Sequence, residues 1–162
     1  MNYFELFGLD MAPRIDKRDL SRKYFELQKR NHPDFFSQAT DAEKEEALEQ
    51  SALINKAFNT LKDDQLTIAY FLKEKGLLQE EEKYKLPDSF LMEMMDWNED
   101  LLEMDRADAE RRVGEYETRL LTEIKPVLDN YNEQTTQDDL LKIKEYYFKK
   151  KYLQRILDRM MD

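Results

Sequence analysis

The 162-residue chain has no cysteine, only three glycines and only four prolines. The absence of cysteine excludes disulfides, thiol catalysis, thiolate ligation of iron–sulfur clusters and cysteine-based zinc sites. So few glycine and proline residues leave little material for turns, while 41% hydrophobic and 12% aromatic residues are too many for a disordered polyelectrolyte. We therefore expect an all-helical protein that forms one domain or two small ones.

The chain also lacks a basic excess, a long apolar run and a basic leader segment. Its formal net charge of −10 argues against general nucleic-acid binding, because a phosphate backbone attracts a basic surface. The longest uninterrupted apolar run, Ile68 to Leu72, is far shorter than the roughly 20 residues that span a bilayer. The start, MNYFELFGLD, carries two acids and no basic segment typical of a signal peptide. These features predict a soluble intracellular protein.

A short apolar segment, Tyr3 to Leu9, precedes a helix with a basic face. Asp16 suits the N-cap of this helix, and the helix should end near His32 because proline disfavours helical geometry in the residue before it. One buried stripe follows the spacing i, i+4, i+7 at Leu20, Tyr24 and Leu27. The basic residues of the opposite side are Arg18, Arg22, Lys23, Lys29 and Arg30.

A second, longer helix should begin at Thr40, which forms a capping box with Glu43. Its predicted apolar face consists of Leu48, Ala52, Ile54, Ala57, Phe58 and Leu61. The short connection between the two helices predicts antiparallel neighbours. A further helix, at about 65–75, should stop at Gly76.

The segment 76–86 looks like a linker, so we predict an N-terminal domain at 1–75 and a C-terminal domain at 87–162. The second domain should contain three helices, at about 88–104, 107–132 and 135–160. Pro126 either kinks or breaks the middle helix. The expected stripe of that helix is Val113, Tyr116, Leu120, Ile124, Val127 and Tyr131. A three-helix bundle is the simplest way to bury these faces.

The only histidine, His32, lies in the sequence RNHPDFF. A single histidine gives at most one imidazole ligand, position 29 is lysine rather than the glutamate of a Glu-x-x-His pair, and the glycines are too dispersed for a phosphate loop. These patterns favour a protein that is not an enzyme and holds no metal or cofactor. The simpler interpretation of His-Pro-Asp is a helix terminator, in which His32 favours the helix end, Pro33 stops the helix and Asp34 caps a turn.

The surroundings of the tripeptide support a more specific interpretation. The segments YFELFGLD, LSRKYFELQKRNHPDFF and INKAFNTLKD resemble the first, second and third helices of the J domain, a co-chaperone module that stimulates DnaK-type chaperones. The resemblance implies that His32, Pro33 and Asp34 form the contact with the chaperone. It also implies that Arg22, Lys23 and Lys29 meet an acidic chaperone surface, and that ATP hydrolysis belongs to the chaperone.

The first helix of the second half is rich in methionine. Phe90, Met94, Trp97, Leu101 and Met104 follow core spacing, whereas Leu91, Met92, Met95 and Leu102 lie outside that stripe, among acids. Residues 79–117 contain fourteen acids and five bases, a net charge of −9. The extra apolar stripe is either a protein-binding face for a basic client or a surface that packs against the first half.

Over essentially its whole length the chain resembles the HscB family, the J-domain co-chaperones of iron–sulfur cluster assembly. The sequences SFLMEMMDWNEDL and QSALINKAFNTLKDDQLTIAYFL carry the likeness. It implies that the C-terminal bundle binds the scaffold protein IscU and that the chain delivers IscU to the chaperone HscA. The scaffold-binding residues that it implies are Leu91, Met92, Met95, Asp96, Glu99, Glu103 and Phe148.

The chain departs from some eukaryotic members, which carry a cysteine-rich metal-binding extension. It therefore looks like the bacterial form, and a cytoplasmic location is expected. Two alternatives stay open from sequence: a general J-domain co-chaperone for a different client, and a helical adaptor outside chaperone function.

Overall fold

A computed structural model describes residues 1–160, and over these residues the chain is all helical. Its seven α-helices are α1 (Tyr3–Leu6), α2 (Lys17–Arg30), α3 (Asp41–Leu61), α4 (Asp64–Glu74), α5 (Asp88–Leu102), α6 (Arg106–Asp129) and α7 (Gln137–Arg159). A one-turn 3₁₀ helix, Pro33–Phe36, lies between α2 and α3. The chain divides into two compact units, Met1–Phe71 and a second that begins at Leu72. None of the described helices is long and apolar enough to cross a membrane.

Side-chain caps start the helices where the sequence predicts them. The Asp16 carboxylate accepts hydrogen bonds from the backbone amides of Arg18 and Asp19, at 2.8 and 3.2 Å, and so begins α2. The Thr40 hydroxyl accepts from the amide of Glu43 at 3.2 Å and begins α3. Each cap satisfies amides that have no partner within the helix, so the predicted starts of α2 and α3 are confirmed.

The first unit is built around an antiparallel pair, α2 and α3. The rings of Tyr24 and Phe58 stack with centroids 4.0 Å apart, and Leu20 and Ile54 are buried beside them. At its other end the unit is closed by α1, where Tyr3 stacks on Tyr70 at 4.5 Å. The buried side chains of this unit are Phe4, Phe7, Pro13, Leu20, Ala47, Ile54, Ala57, Leu61, Thr67, Ile68, Ala69 and Phe71.

The predicted apolar face of α3 is partly wrong. Leu48 is 64% exposed and Ala52 is exposed, whereas Ala47 is buried. The reason is that α3 has 21 residues and α2 only 14, so the first turns of α3 extend beyond α2 and pack against the small 3₁₀ helix. That short element covers Ala47 and leaves the adjacent leucine in solvent.

The second unit contains three antiparallel helices, as expected for its C-terminal part. Phe90 of α5 contacts Tyr116 of α6 and Tyr152 of α7, with ring centroids 6.2 and 5.6 Å apart. Trp97 packs edge-on against Tyr116 at 5.0 Å. The predicted α5 stripe is buried at Phe90, Met94, Trp97 and Leu101, and Met104 is half-buried. In α6 the stripe ends at Leu128 rather than at Val127 and Tyr131, and the helix continues through Pro126 without a break.

The predicted linker has no helix, and its side chains pack on α7. Tyr84 stacks on Phe148 with centroids 4.4 Å apart and lies under the Lys144 ammonium. Glu82 pairs with Lys144 at 2.6 Å and accepts the amide of Gln79 at 3.0 Å. The hydrogen bond from Lys144 holds the pKa of the Glu82 carboxyl below its ordinary value of 4.5. This ion pair therefore fixes the segment that leads into α5.

We expect Glu82→Gln to destabilise the second unit at neutral pH by about 1 kcal/mol, because it removes a charge-assisted hydrogen bond from a mostly buried pair. Since folding lowers the pKa of Glu82, its stabilising effect is present above the ordinary value of 4.5 and is lost as the pH falls through the folded-state value. Thermal unfolding followed by circular dichroism at several pH values measures this difference. The matched control is Glu80→Gln, because the Glu80 carboxylate is 83% exposed in its pair with Lys73 and should contribute little. Equal destabilisation by both changes, or a difference that persists at acid pH, would contradict the prediction.

Candidate functional site

The first candidate surface is the end of the α2–α3 hairpin, which we call the tip, where His32, Pro33 and Asp34 form the turn. The Asn31 side chain donates to the carbonyl of Leu27 at 2.9 Å and closes α2. His32 then adopts extended backbone, with φ −66° and ψ 136°, and Pro33 starts the 3₁₀ helix. Because the proline ring fixes its own φ and restricts the preceding residue, the backbone of the turn has little conformational freedom.

The imidazole of His32 caps this small helix. Its Nδ1 accepts the backbone amide of Asp34 at 3.2 Å and lies 3.5 Å from the Asp34 carboxylate. An accepting Nδ1 places the ring proton on Nε2, which is then a free donor in solvent. The two side chains are 56% and 89% exposed. The turn therefore presents one hydrogen-bond donor and one carboxylate at fixed positions relative to each other. The sequence suggested Asp34 as the capping residue, but in the structure His32 caps the 3₁₀ helix.

Polar contacts between the helices hold the tip in register. Gln28 lies one turn before the tip; its amide donates to Asn55 at 2.8 Å and accepts from the Ser51 hydroxyl at 2.8 Å. The Tyr24 hydroxyl donates to the same Asn55 side chain at 2.6 Å. These bonds fix how far α2 slides along α3, and thereby where the turn lies.

The three basic residues predicted for the chaperone contact have different surroundings. Arg22 is 68% exposed and pairs with Asp19 at 2.5 Å, and this hydrogen bond lowers the pKa of the Asp19 carboxyl. Lys29 is exposed in the last turn of α2, close to the tip. Lys23 is half-buried and donates to the carbonyl of Gly8 at 3.0 Å, so it also ties the turn after α1 to α2.

Apolar side chains near the tip were missed from sequence. Phe25 of α2 is 69% exposed and lies outside the buried stripe of that helix, and Phe35 is 65% exposed. A groove of about 280 Å³ beside the tripeptide is lined by Asn31, Pro33, Phe36, Ser37, Lys44, Ala47 and Leu48. The only available signal for Phe25 was its position off the core stripe. The tip thus combines charge with exposed apolar surface.

The second candidate surface is the solvent side of α5. Met92, Met95 and Leu102 are 68%, 67% and 88% exposed, while Leu91 is half-buried at the edge of the core. Met92, Met95 and Leu102 follow helical spacing on the side of α5 opposite the buried stripe. Three exposed carboxylates, Asp96, Glu99 and Glu103, lie among them. We call these seven residues the α5 face.

The α5 face is not neutralised within its own unit. Arg112 of α6 pairs with Asp100 at 3.3 Å and lies 4.6 Å from the Trp97 ring, so this cation is directed to neighbours of the face. Within residues 1–160, no salt bridge involves Asp96, Glu99 or Glu103. Exposed thioethers beside free carboxylates are suited to a partner with an apolar contact and basic residues around it.

Phe148, the remaining predicted scaffold contact, lies on α7. Its half-buried ring stacks on Tyr84 and meets Tyr147 edge-on at 5.2 Å, with the Lys151 ammonium 5.8 Å from its centroid. The ring thus helps to hold the segment before α5. No cluster of histidine, aspartate and glutamate among the described residues is arranged to hold a metal ion.

Comparison with known proteins shows the family of the chain. Residues 86–160 match the model described as the HSCB C-terminal oligomerisation domain. The chain is 34% identical over 169 residues to the co-chaperone protein HscB homolog of Shewanella halifaxensis, covering 99% of this chain and 95% of that one. It is 33% identical over 160 residues to the human iron–sulfur cluster co-chaperone protein HscB, covering 98% and 67%.

Two solved structures have the same fold. The crystal structure of human HscB has a TM-score of 0.72 and 32% identity, with 99% of this chain and 81% of that chain covered. HscB from Vibrio cholerae has a TM-score of 0.63 and 30% identity, with coverage of 99% and 96%. The class is therefore that of co-chaperones with an N-terminal J domain and a C-terminal helical domain. The chain belongs to the HscB family.

Proposed function

We propose that this chain binds the iron–sulfur scaffold IscU through its C-terminal bundle, delivers it to the DnaK-type chaperone HscA, and stimulates the ATPase of HscA through the His-Pro-Asp turn. The observation that carries the proposal is the presence of two exposed surfaces of different chemistry on two compact units. One is the tip, which combines the exposed His32 and Asp34 side chains with an exposed phenylalanine ring, and the other is the apolar and acidic α5 face. A chain with two such surfaces can connect a client to a chaperone.

The tip is suited to transient contact with a chaperone. Its His32 and Asp34 side chains are exposed and already ordered by the Nδ1 hydrogen bond and by Pro33, so little conformational entropy is lost on binding. The exposed cations Arg22 and Lys29 speed association with an acidic partner and add only modest affinity. The chemistry of hydrolysis remains in the chaperone.

The α5 face is suited to a client with complementary chemistry. Met92 and Met95 provide unbranched, adaptable apolar contacts, and Leu91 lies beside them at the edge of the core. The carboxylates of Asp96, Glu99 and Glu103 would pair with basic groups around the apolar part of the client. Phe148 belongs to the proposal as a further contact, on α7.

The experiment that tests the whole proposal is affinity capture with the full chain in the presence of purified IscU and HscA, followed by ATPase measurement. We expect both proteins to be recovered in one complex and ATP hydrolysis by HscA to increase when the chain is added. A chain that stimulates HscA or DnaK but does not retain IscU would instead be a general co-chaperone for another client. Recovery of neither protein would refute both roles.

The basic side of α2 leads to a separate kinetic prediction. We expect the double change Arg22→Glu and Lys29→Glu to slow association with HscA by about tenfold at low salt, because exposed charges act mainly on encounter rates. The difference should shrink at high salt, where these charges are screened. Stopped-flow or surface-plasmon measurement of the association rate checks this.

The control for that prediction has the same change in net charge elsewhere. Lys56→Glu with Lys125→Glu reverses two exposed lysines outside α2. Equal slowing in both double variants would show an effect of net charge alone, and the α2 contact would then be wrong.

A further inference from the structure

The sulfur chemistry of this chain is confined to thioethers, because it has eight methionines and no cysteine. Two of these methionines, Met92 and Met95, are 68% and 67% exposed on the α5 face. Met94 lies between them in sequence and is fully buried, with 0% exposure. Oxidants in solvent can therefore reach the thioethers of Met92 and Met95. The thioether of Met94 is protected because it packs in the core.

We infer that Met92 and Met95 form an oxidation-sensitive site whose conversion to sulfoxides by hydrogen peroxide releases the scaffold client. This inference rests on the proposed function, since it makes the α5 face the site of regulation. It concerns the chemical state of that face and not only its partner.

The reaction is a two-electron oxygen transfer. A sulfur lone pair attacks one peroxide oxygen, an S–O bond forms as the O–O bond breaks, and the remaining oxygen takes up the proton to leave as water. Each thioether is oxidised to a sulfoxide and each peroxide is reduced, so one peroxide is consumed for each methionine. Methionine sulfoxide reductases return the thioether at the expense of a thiol reductant.

Oxidation should weaken binding because it changes the character of the face. A sulfoxide carries a strong hydrogen-bond acceptor that must lose its water when an apolar client surface covers it. Both positions lie on the same side of α5, three residues apart, so one contact surface receives two polar oxygens. The nearby carboxylates already make the face acidic and offer no donor to the new oxygens.

The first test is chemical and needs no partner. The full chain is treated with hydrogen peroxide, and sulfoxide formation at each methionine is followed by peptide mass spectrometry. We expect oxidation at Met92 and Met95 to be about tenfold or more faster than at Met94, because access to solvent controls the rate. Equal rates at all three positions would overturn the inference at its first step.

The second test measures binding by calorimetry with purified IscU before and after oxidation. We expect the affinity to fall by about tenfold or more and to return after treatment with methionine sulfoxide reductases. The variant with Met92→Leu and Met95→Leu is compared only with its own untreated form, and its affinity should not change with peroxide. Met11→Leu removes a half-buried methionine that lies in the other unit, so this variant should keep the peroxide effect.

The outcomes separate this inference from the proposal beneath it. If the untreated chain fails to bind IscU, the proposed client is wrong. If the untreated chain binds and the oxidised chain binds equally well, only the oxidation switch is wrong. A Leu variant that loses affinity with peroxide would likewise overturn it, by placing the sensitive group elsewhere.

Discussion

Replacing His32 with Gln should reduce stimulation of the HscA ATPase to about the basal rate while the protein stays folded. The imidazole provides two functions at once, since Nδ1 accepts the Asp34 amide and Nε2–H faces solvent. A glutamine can supply a donor, but its flexible chain does not hold that donor in fixed relation to the Asp34 carboxylate. Steady-state ATPase assays with increasing concentrations of the variant measure the loss.

Folding and client binding serve as internal controls for this change. The imidazole makes one exposed capping bond, whose loss should cost about 1 kcal/mol or less, so circular dichroism and thermal melting should change little. Affinity for IscU should be unaffected because the α5 face is on the other unit. Gln38→Ala, which changes an exposed polar residue soon after the 3₁₀ helix, should retain full stimulation. Unchanged stimulation by the His32 variant would refute the role of the turn.

The helices of this chain are readily predicted from sequence because their signals are local. Asp16 and Thr40 cap the following amides through bonds that span two or three residues, and Pro33 limits α2 from one position away. The α5 core stripe also follows from spacing alone, since a helix with two apolar sides buries the more continuous one. Such features depend little on the rest of the fold.

The errors concern features that depend on tertiary neighbours. Leu48 has the spacing of a core residue, but whether it is covered depends on how far α2 extends along α3. The α6 stripe ends at Leu128, and whether a residue of that helix is covered depends likewise on its tertiary neighbours. The local sequence of a helix does not determine which of its residues a neighbouring helix covers.

The same distinction between local signals and tertiary contacts applies to the residues of the candidate sites. The exposure of Met92, Met95 and Leu102 follows from their position off the core stripe, which sequence shows directly. The capping role of His32 does not, because histidine is not among the preferred N-cap residues. The stacking of Phe148 on Tyr84 joins residues 64 positions apart in the chain, and no local sequence pattern predicts it.

The domain limits at 1–75 and 87–162 stay predictions of the sequence. The compact units meet between Phe71 and Leu72, within α4, and the family match begins at residue 86. The segment between these positions packs on α7 through Glu82 and Tyr84. Part of the predicted linker is therefore structured within the second unit.

Replacing Leu91, Met92 and Met95 together with Ala should weaken IscU binding by about 100-fold, since losing three apolar side chains from an interface costs roughly 3 kcal/mol. The bundle should remain folded because the two methionines are mainly exposed and the core stripe of Phe90, Met94, Trp97 and Leu101 is untouched. Stimulation of HscA by the chain alone should also be retained, since the tip is intact. Calorimetric titration of IscU into the variant measures the affinity.

A matched control separates a specific contact from a general loss of apolar surface. Leu141→Ala removes a leucine that is 45% exposed on α7, in the same unit but off the α5 face, and should leave the affinity unchanged. Glu99→Gln with Glu103→Gln tests the acidic part of the face independently, and its effect should diminish with salt, as expected for exposed charges. An unaltered affinity in the triple variant would show that IscU binds elsewhere on the chain. Loss in the triple variant together with retention in the Leu141 variant would support a client contact on α5, because truncating an exposed leucine elsewhere in the unit would then leave the affinity intact.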